Sequence, residues 1–451
     1  MTIADRLTEF ITGTTFADLP AETVEFTKAL TLKCVAGMVA GSVVPTSGKI
    51  VTYVRARGGA PEASVIGCGF RAPVEQAALA NGYFAHASEL EDDQFPGGGI
   101  SDITVWPALI PAAEHLKLSG KAFLEAAYVG MEVQNRIAYH ASAGTDAMGI
   151  VGLPFYGAFG ATAAAAKAYG LGRAEVKAAL GIAMTQGIGY MHDWGTDTHF
   201  FESAAVCRNG ITVAQLAKAG MTSNPDFPRW LNMLVGEGKI DFDKITDGLG
   251  KAPHYIHNTW VKKYPCCFFT HRHVDALREI MGEHGVGAEQ VARVTIHVGP
   301  MDQICNRPEP KDPEDSKFSF QHVLGTALVE GDIGLEAFAE GRLERSEYAA
   351  ARAKVNVAVH PEWPRRYQSG IGRVEVALTD GRTYAREREQ PLGGAKHPLS
   401  RDEHVALYRK YTAHVLSPAQ VEQSLDVILN LERAGDLQGL MGIVVQPQRG
   451  R

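Results

Sequence analysis

The chain has 451 residues, 45% of them hydrophobic and 21% charged, with a formal charge of −7 and a pI of about 6.2. These totals exclude a disordered chain, and the absence of a long basic run argues against nucleic acid or an anionic membrane as partner. The length allows two or three domains. The opening MTIADRLTEF is charged and amphipathic, unlike a signal peptide. No run of roughly 18 uncharged apolar residues occurs, so no membrane span is expected. The six cysteines, Cys34, Cys68, Cys207, Cys266, Cys267 and Cys305, contain no C-x-x-C. They read as thiols of a cytoplasmic protein rather than as a disulfide framework.

The first 250 or so residues carry helical periodicity. AETVEFTKALTLKCVAGMVAG (21–41), KAFLEAAYVGMEVQNRIAYHA (121–141), YGAFGATAAAAKAYGLG (156–172) and AEVKAALGIAMTQGIGYM (174–191) are each expected to be helical. The third is rich in Ala and Gly, which suits close packing inside a core. After about residue 285 the pattern changes. VARVTIHV (291–298) and AKVNVAVH (353–360) read as strands, and RVEVALTDGRTYAREREQ (373–390) as a hairpin with a two-residue turn at Asp380-Gly381. Helices return over 403–415 and 419–432. The expected fold is mainly α with an α+β domain: a large all-helical domain over 1–260, completed by 400–451, with an inserted α+β lid domain over 261–399. A cleft between two such domains is a common place for a small-molecule site.

Four segments carry chemistry. In NGYFAHASELEDDQFPGGGISD (81–102), Glu89, Glu91, Asp92 and Asp93 crowd a helix C-terminus, where acids oppose the macrodipole. That cost points to a base or a cation site, against the alternative of a solvated acidic face. The Gly triplet lacks the lysine and Ser/Thr of a phosphate loop. MHDWGTDTHFFESAAVCRNG (191–210) holds His192, Asp193, Asp197, His199, Glu202 and Arg208. A helix would put His199 and Glu202 on one face. A metal needs three or four convergent ligands, and no recognised spacing supplies them.

In KKYPCCFFTHRH (262–273), adjacent Cys266 and Cys267 cannot easily bridge and do not have iron–sulfur spacing. Lys262 and Lys263 beside them would favour a thiolate; the alternative is a packed thiol with solvated lysines. In KFSFQHVLGTALVEGD (317–332), His322 interrupts an apolar helical run and, taken alone, reads as a satisfied core histidine.

These segments, in this order, resemble the MmgE/PrpD family. NGYFAHASELEDD is similar to its N-G-x-x-x-H-x-x-D-[FL]-D-D motif, and GMEVQNRI to its G-x-E-V-x-x-R segment. GAFGATAAAAKAYGL, KKYPCCFFTH and KFSFQHVLGTALVEGD are similar to three further family segments, and the likeness runs from about residue 5 to 440. The resemblance implies a helical domain and a smaller α+β lid, a homodimer, an active site in the cleft, and neither metal, iron–sulfur cluster nor organic cofactor. It implies a small carboxylic-acid substrate and removal of a proton or carboxylate next to a carboxyl group.

Carried over by position, Glu89 stands at the first motif aspartate and Asp93 just after the acidic cluster. Lys262 stands at the family lysine, Cys267 at a Cys or His position, His322 at a Tyr or His position, and Met191 at a pocket Met. The chain departs from the pattern at Gly99, Val151 and Glu202, where relatives have histidine, and at His199, where they have lysine. Loss of these groups points to a substrate less anionic than a citrate-like acid, one carrying an amine or hydroxyls.

The implied mechanism needs a base, cations for the carboxylates and a general acid. The expected catalytic set is therefore Glu89, Asp93, His199, Lys262, Cys267 and His322. Lys262 is the carboxylate clamp, His199 and His322 are the acid–base pair, Glu89 or Asp93 orients one of them, and Cys267 lines the pocket. Met191, His192 and Lys263 form the substrate-binding set. The expected activity is a cofactor-independent lyase, of hydro-lyase or decarboxylase type, on a small hydroxylated or unsaturated carboxylic acid. An epimerase of a small amino dicarboxylic acid and a non-catalytic binding protein are the alternatives.

Overall fold

A computed structural model describes residues 1–446 apart from 96, 99–101, 253 and 365–371, and also leaves aside the side chains of 143 and 146. Gly99, one of the departures from the family pattern, lies outside the described residues. Two compact units form. The first comprises Met1–Asp193, Thr198–Thr259 and the chain from Ser400 on; the second comprises Trp194–Asp197 and Trp260–Leu399.

The first unit is helical. Ala21–Gly41 forms the expected helix, and burial on most of its circumference marks it as a core element rather than a surface one. Gly120–Ala147 and Gly152–Ala168 pack against each other through small residues. A Cβ on Gly130 would lie 2.9 Å from both the Ala164 Cβ and the Gly160 carbonyl oxygen, so glycine permits this approach. Arg401–Thr412 and Pro418–Leu429 return to this unit, each started by a serine capping box.

The helix expected over 174–191 is shorter than its periodicity implies. Arg173–Ala183 is helical, after which the chain turns, pairs Tyr190 with Ile150 in an antiparallel bridge, and enters a 3-10 turn at Met191–Asp193. Gly187 permits this path: a Cβ there would lie 2.1 Å from the Pro154 carbonyl oxygen. Glycine here serves close approach, which a hydrophobic pattern does not register. A short hairpin, Ala63–Val65 with Phe70–Ala72, also lies in a stretch that gave no strand signal.

The second unit holds a four-stranded sheet in the order Val355–Val359, Val291–Val298, Gly372–Leu378, Thr383–Arg388. The first pair is parallel, joined through the helices Phe320–Glu330 and Ser346–Lys354 that lie between them in sequence; the other pairs are antiparallel. Alternate residues of Gly372–Leu378 are buried beneath the helix Phe268–His284. Thr383–Arg388 is one of the two edges, and its charged side chains guard against further pairing.

The hairpin forms, but not with a two-residue turn. Leu378 N–H donates to the Arg382 carbonyl, leaving Thr379, Asp380 and Gly381 as a three-residue loop with Gly381 at φ 91°. A type I turn closed by a left-handed glycine accepts Asp-Gly as readily as the tighter turn does. No helix among the described residues is long and apolar enough to cross a membrane.

Candidate active site

The acidic segment follows the helix Val74–Ala87. Glu89 N–H donates back to the His86 carbonyl at 2.9 Å, and Glu89 takes φ 54°. A left-handed backbone at a residue other than glycine costs on the order of 1 kcal/mol or more and is concentrated at functional sites. The segment is not a solvated acidic face: Glu89 and Asp92 are 0% exposed, Glu91 4% and Asp93 9%.

Lys33, from the middle of Ala21–Gly41, compensates part of this charge. Its ammonium donates to Asp92 Oδ1 at 2.8 Å and to the Leu90 carbonyl. Asp92 N–H donates to Asp102 Oδ1 at 3.0 Å, and burial, then the nearby Asp92, push the Asp102 carboxyl well above the ordinary carboxylate range. Asp93 turns its Oδ1 to accept the Gln94 N–H at 2.7 Å.

The helix Asp197–Lys218 carries His199 and Glu202 on one face, as the spacing predicts. His199 Nδ1 lies 3.3 Å from Glu202 Oε2, and since a carboxylate only accepts, the imidazole donates from Nδ1. The other oxygen, Oε1, accepts the Tyr190 N–H at 3.0 Å. A Cβ on Gly189 would fall 2.4–2.6 Å from this carboxylate, so the glycine makes room for it. Gly189 in turn accepts the Val151 N–H through its carbonyl at 3.0 Å. Val151 and Glu202, two of the departures from the family pattern, thus meet the same short segment, Gly189–Tyr190.

His199 is also brought to Glu89. The ligand-type atoms of His86, Glu89 and His199 lie within 4.8 Å of one another, all buried. The His86 and His199 rings meet edge-on with centroids 4.3 Å apart. His86 Nδ1 is 3.0 Å from Ser203 Oγ, and that hydroxyl donates to the Phe200 carbonyl at 2.9 Å. The serine oxygen therefore accepts, which fixes the proton of His86 on Nδ1. His86 was visible in the sequence only as a motif residue preceding the acids. Its place beside His199 depends on a contact between residues more than a hundred positions apart. Met191 is half-buried in its 3-10 turn, and His192 is exposed, with Nε2 3.4 Å from Asp193 Oδ2.

The remaining expected residues belong to the second unit. Lys262 is buried there, just after the short strand Thr259–Trp260. Lys263 is half-buried and lines a 290 Å³ pocket with Tyr264, Asp275, Arg278, Glu279 and Leu392. Cys267 stands at the position before the first turn of Phe268–His284, and its backbone N–H donates to the Lys317 carbonyl. All six cysteines are free thiols, and the Cys267 and Cys305 sulfurs lie 3.5 Å apart. His322 is fully buried on Phe320–Glu330. Its Nε2 donates to the Ala337 carbonyl at 2.9 Å, Arg352 reaches its Nδ1 at 3.5 Å, and burial lowers its pKa to about 4.

Two family models match the chain: the MmgE/PrpD N-terminal domain over residues 5–228 and the MmgE/PrpD C-terminal domain over 264–433. Similar curated proteins include cis-aconitate decarboxylase of Homo sapiens, 27% identical over 84% of this chain and 80% of that protein. Cis-aconitate decarboxylase of Aspergillus terreus is 27% identical over 95% of this chain and 93% of its own length. A cis-aconitate decarboxylase-like protein of Aspergillus oryzae is 26% identical over 98% and 97%. With both domain models matched in order and together spanning most of its length, the chain belongs to the MmgE/PrpD family.

Proposed function

We propose that this chain is a lyase that acts on a small hydroxylated or unsaturated carboxylic acid by removing a proton next to a carboxylate. The observation that carries the proposal is the buried Glu202–His199 pair facing Glu89. Glu202 holds His199 by Nδ1 and is itself held by the Tyr190 N–H. The imidazole is thereby oriented to take a proton at Nε2, the usual requirement for a positioned base. Glu89 lies within reach of the same ring and takes the role of binding a substrate hydroxyl or amine.

The chemistry balances without an electron acceptor. In dehydration the base takes a proton from the α-carbon and returns it to the hydroxide departing from the β-carbon, which leaves as water. In decarboxylation carbon dioxide leaves the substrate carboxylate, and the electron pair left on the carbon takes a proton from solvent water. His322 drops out of the acid–base pair in this proposal. A ring held at both nitrogens and neutral down to about pH 4 serves packing better than proton transfer. The MmgE/PrpD membership and the decarboxylase relatives support the reaction class.

The test is a panel of C4–C6 hydroxy-, amino- and unsaturated di- and tri-acids, cis-aconitate included, incubated in deuterated water and read by mass. Loss of water or carbon dioxide from one panel member, abolished by His199→Gln, is the expected result. Deuterium uptake with an intact skeleton would instead identify an epimerase. No change in any member would leave a binding protein.

A further inference from the structure

We infer that His86, Glu89 and His199 form a binding site for one divalent transition-metal ion of the zinc class, and that its occupancy blocks proton abstraction by His199. The first half stands on geometry alone; the second rests on the function proposed above. Three features support the site. The donor set is two imidazoles and a carboxylate, which suits zinc with one coordination position left for water. The ligand atoms already converge to within 4.8 Å. A tetrahedral ion with bonds of about 2.0–2.2 Å needs separations of roughly 3.5 Å, so closure asks for a contraction of about 1 Å.

The second feature is the outer shell. Metal-binding histidines donate their other ring N–H to a carboxylate, carbonyl or hydroxyl, which fixes the tautomer and raises the basicity of the ligand nitrogen. Both rings do so here, His199 to Glu202 at 3.3 Å and His86 to Ser203 at 3.0 Å. Each donation leaves the lone pair on Nε2. The third feature is the strained backbone of Glu89, which sets its carboxylate beside both rings. An ammonium group would satisfy Glu89 but would gain little from two imidazoles. The blocking follows from electron counting: the Nε2 lone pair of His199 binds either the metal or the substrate proton.

The test uses the full chain, stripped with EDTA and titrated with Zn²⁺ against a chromophoric chelator, then with Co²⁺ followed by its visible spectrum. The expected result is one Zn²⁺ per chain, a Co²⁺ spectrum without thiolate charge-transfer bands, and an affinity lowered at least about tenfold by Glu89→Gln or His86→Ala. A rise in melting temperature of the unmodified protein with Zn²⁺ serves as a readout that needs no variant. Failure to bind one equivalent, or a spectrum showing cysteine ligands, would overturn the site and leave the proposed function standing. Where the panel yields a substrate, added Zn²⁺ stops turnover and EDTA restores it. Zinc binding at these residues with undiminished turnover would overturn the blocking and point away from His199 as the base.

Discussion

Two buried histidines occupy contrasting settings. In the first unit, His199 gives one nitrogen to Glu202 and lies beside His86 and Glu89. In the second, His322 has both nitrogens engaged by its own scaffold, a carbonyl on one side and a guanidinium on the other. Burial is the same; the chemistry is not. A carboxylate partner stabilises the protonated ring that proton abstraction creates, whereas an arginine beside the ring opposes it. The contrast separates a histidine with a carboxylate partner from one that burial keeps neutral.

The largest expected effect is on turnover. His199→Gln removes the proposed base and should lower kcat by about 10³-fold, while His322→Gln should lower it less than about tenfold. Glu202→Gln should fall between them. Gly189→Ala comes next: its Cβ must displace the Glu202 carboxylate, and a misplacement near 1 Å should cost about 100-fold with the fold kept, read by circular dichroism and kcat together.

His322 should matter to stability instead. Its unfolded ring protonates near pH 6.5 and its folded ring near pH 4. Between those values the unfolded state binds more protons, so stability falls as pH drops through the window, by about 2 kcal/mol from this residue. Urea melts at pH 7.5 and 4.5 should show that loss, and His322→Gln should show a smaller one. His404, also lowered to about 4 by burial and then by Lys33, contributes in the same direction and remains in both proteins.

The smallest effect is at Glu89. Glu89→Gly relieves the left-handed strain and should raise stability by about 1 kcal/mol while lowering activity, an exchange expected where strain serves function.

Much of this was legible in the chain. Helical period, β-branched alternation and the Ala/Gly-rich segment located the main elements, because burial of one face leaves a periodic record. The His199–Glu202 pair was legible for the same reason, being a local i, i+3 relation. The shortened helix after Ala183 was not, since Gly187 and Gly189 answer to Pro154 and Glu202, contacts that periodicity does not encode. His86, Ser203 and Lys33 also escaped. Each acquires its meaning from a partner far away in sequence, and Lys33 in particular looks out of place in a core helix until Asp92 is seen beside it.

The central claim is that the histidine paired with Glu202 moves the substrate proton. Its most direct test is deuterium incorporation at the α-carbon of whichever panel acid turns over, measured for His199→Gln and His322→Gln under identical conditions. Exchange abolished in the first variant and retained in the second is the predicted result. Exchange that survives His199→Gln and disappears in a folded His322→Gln would contradict it.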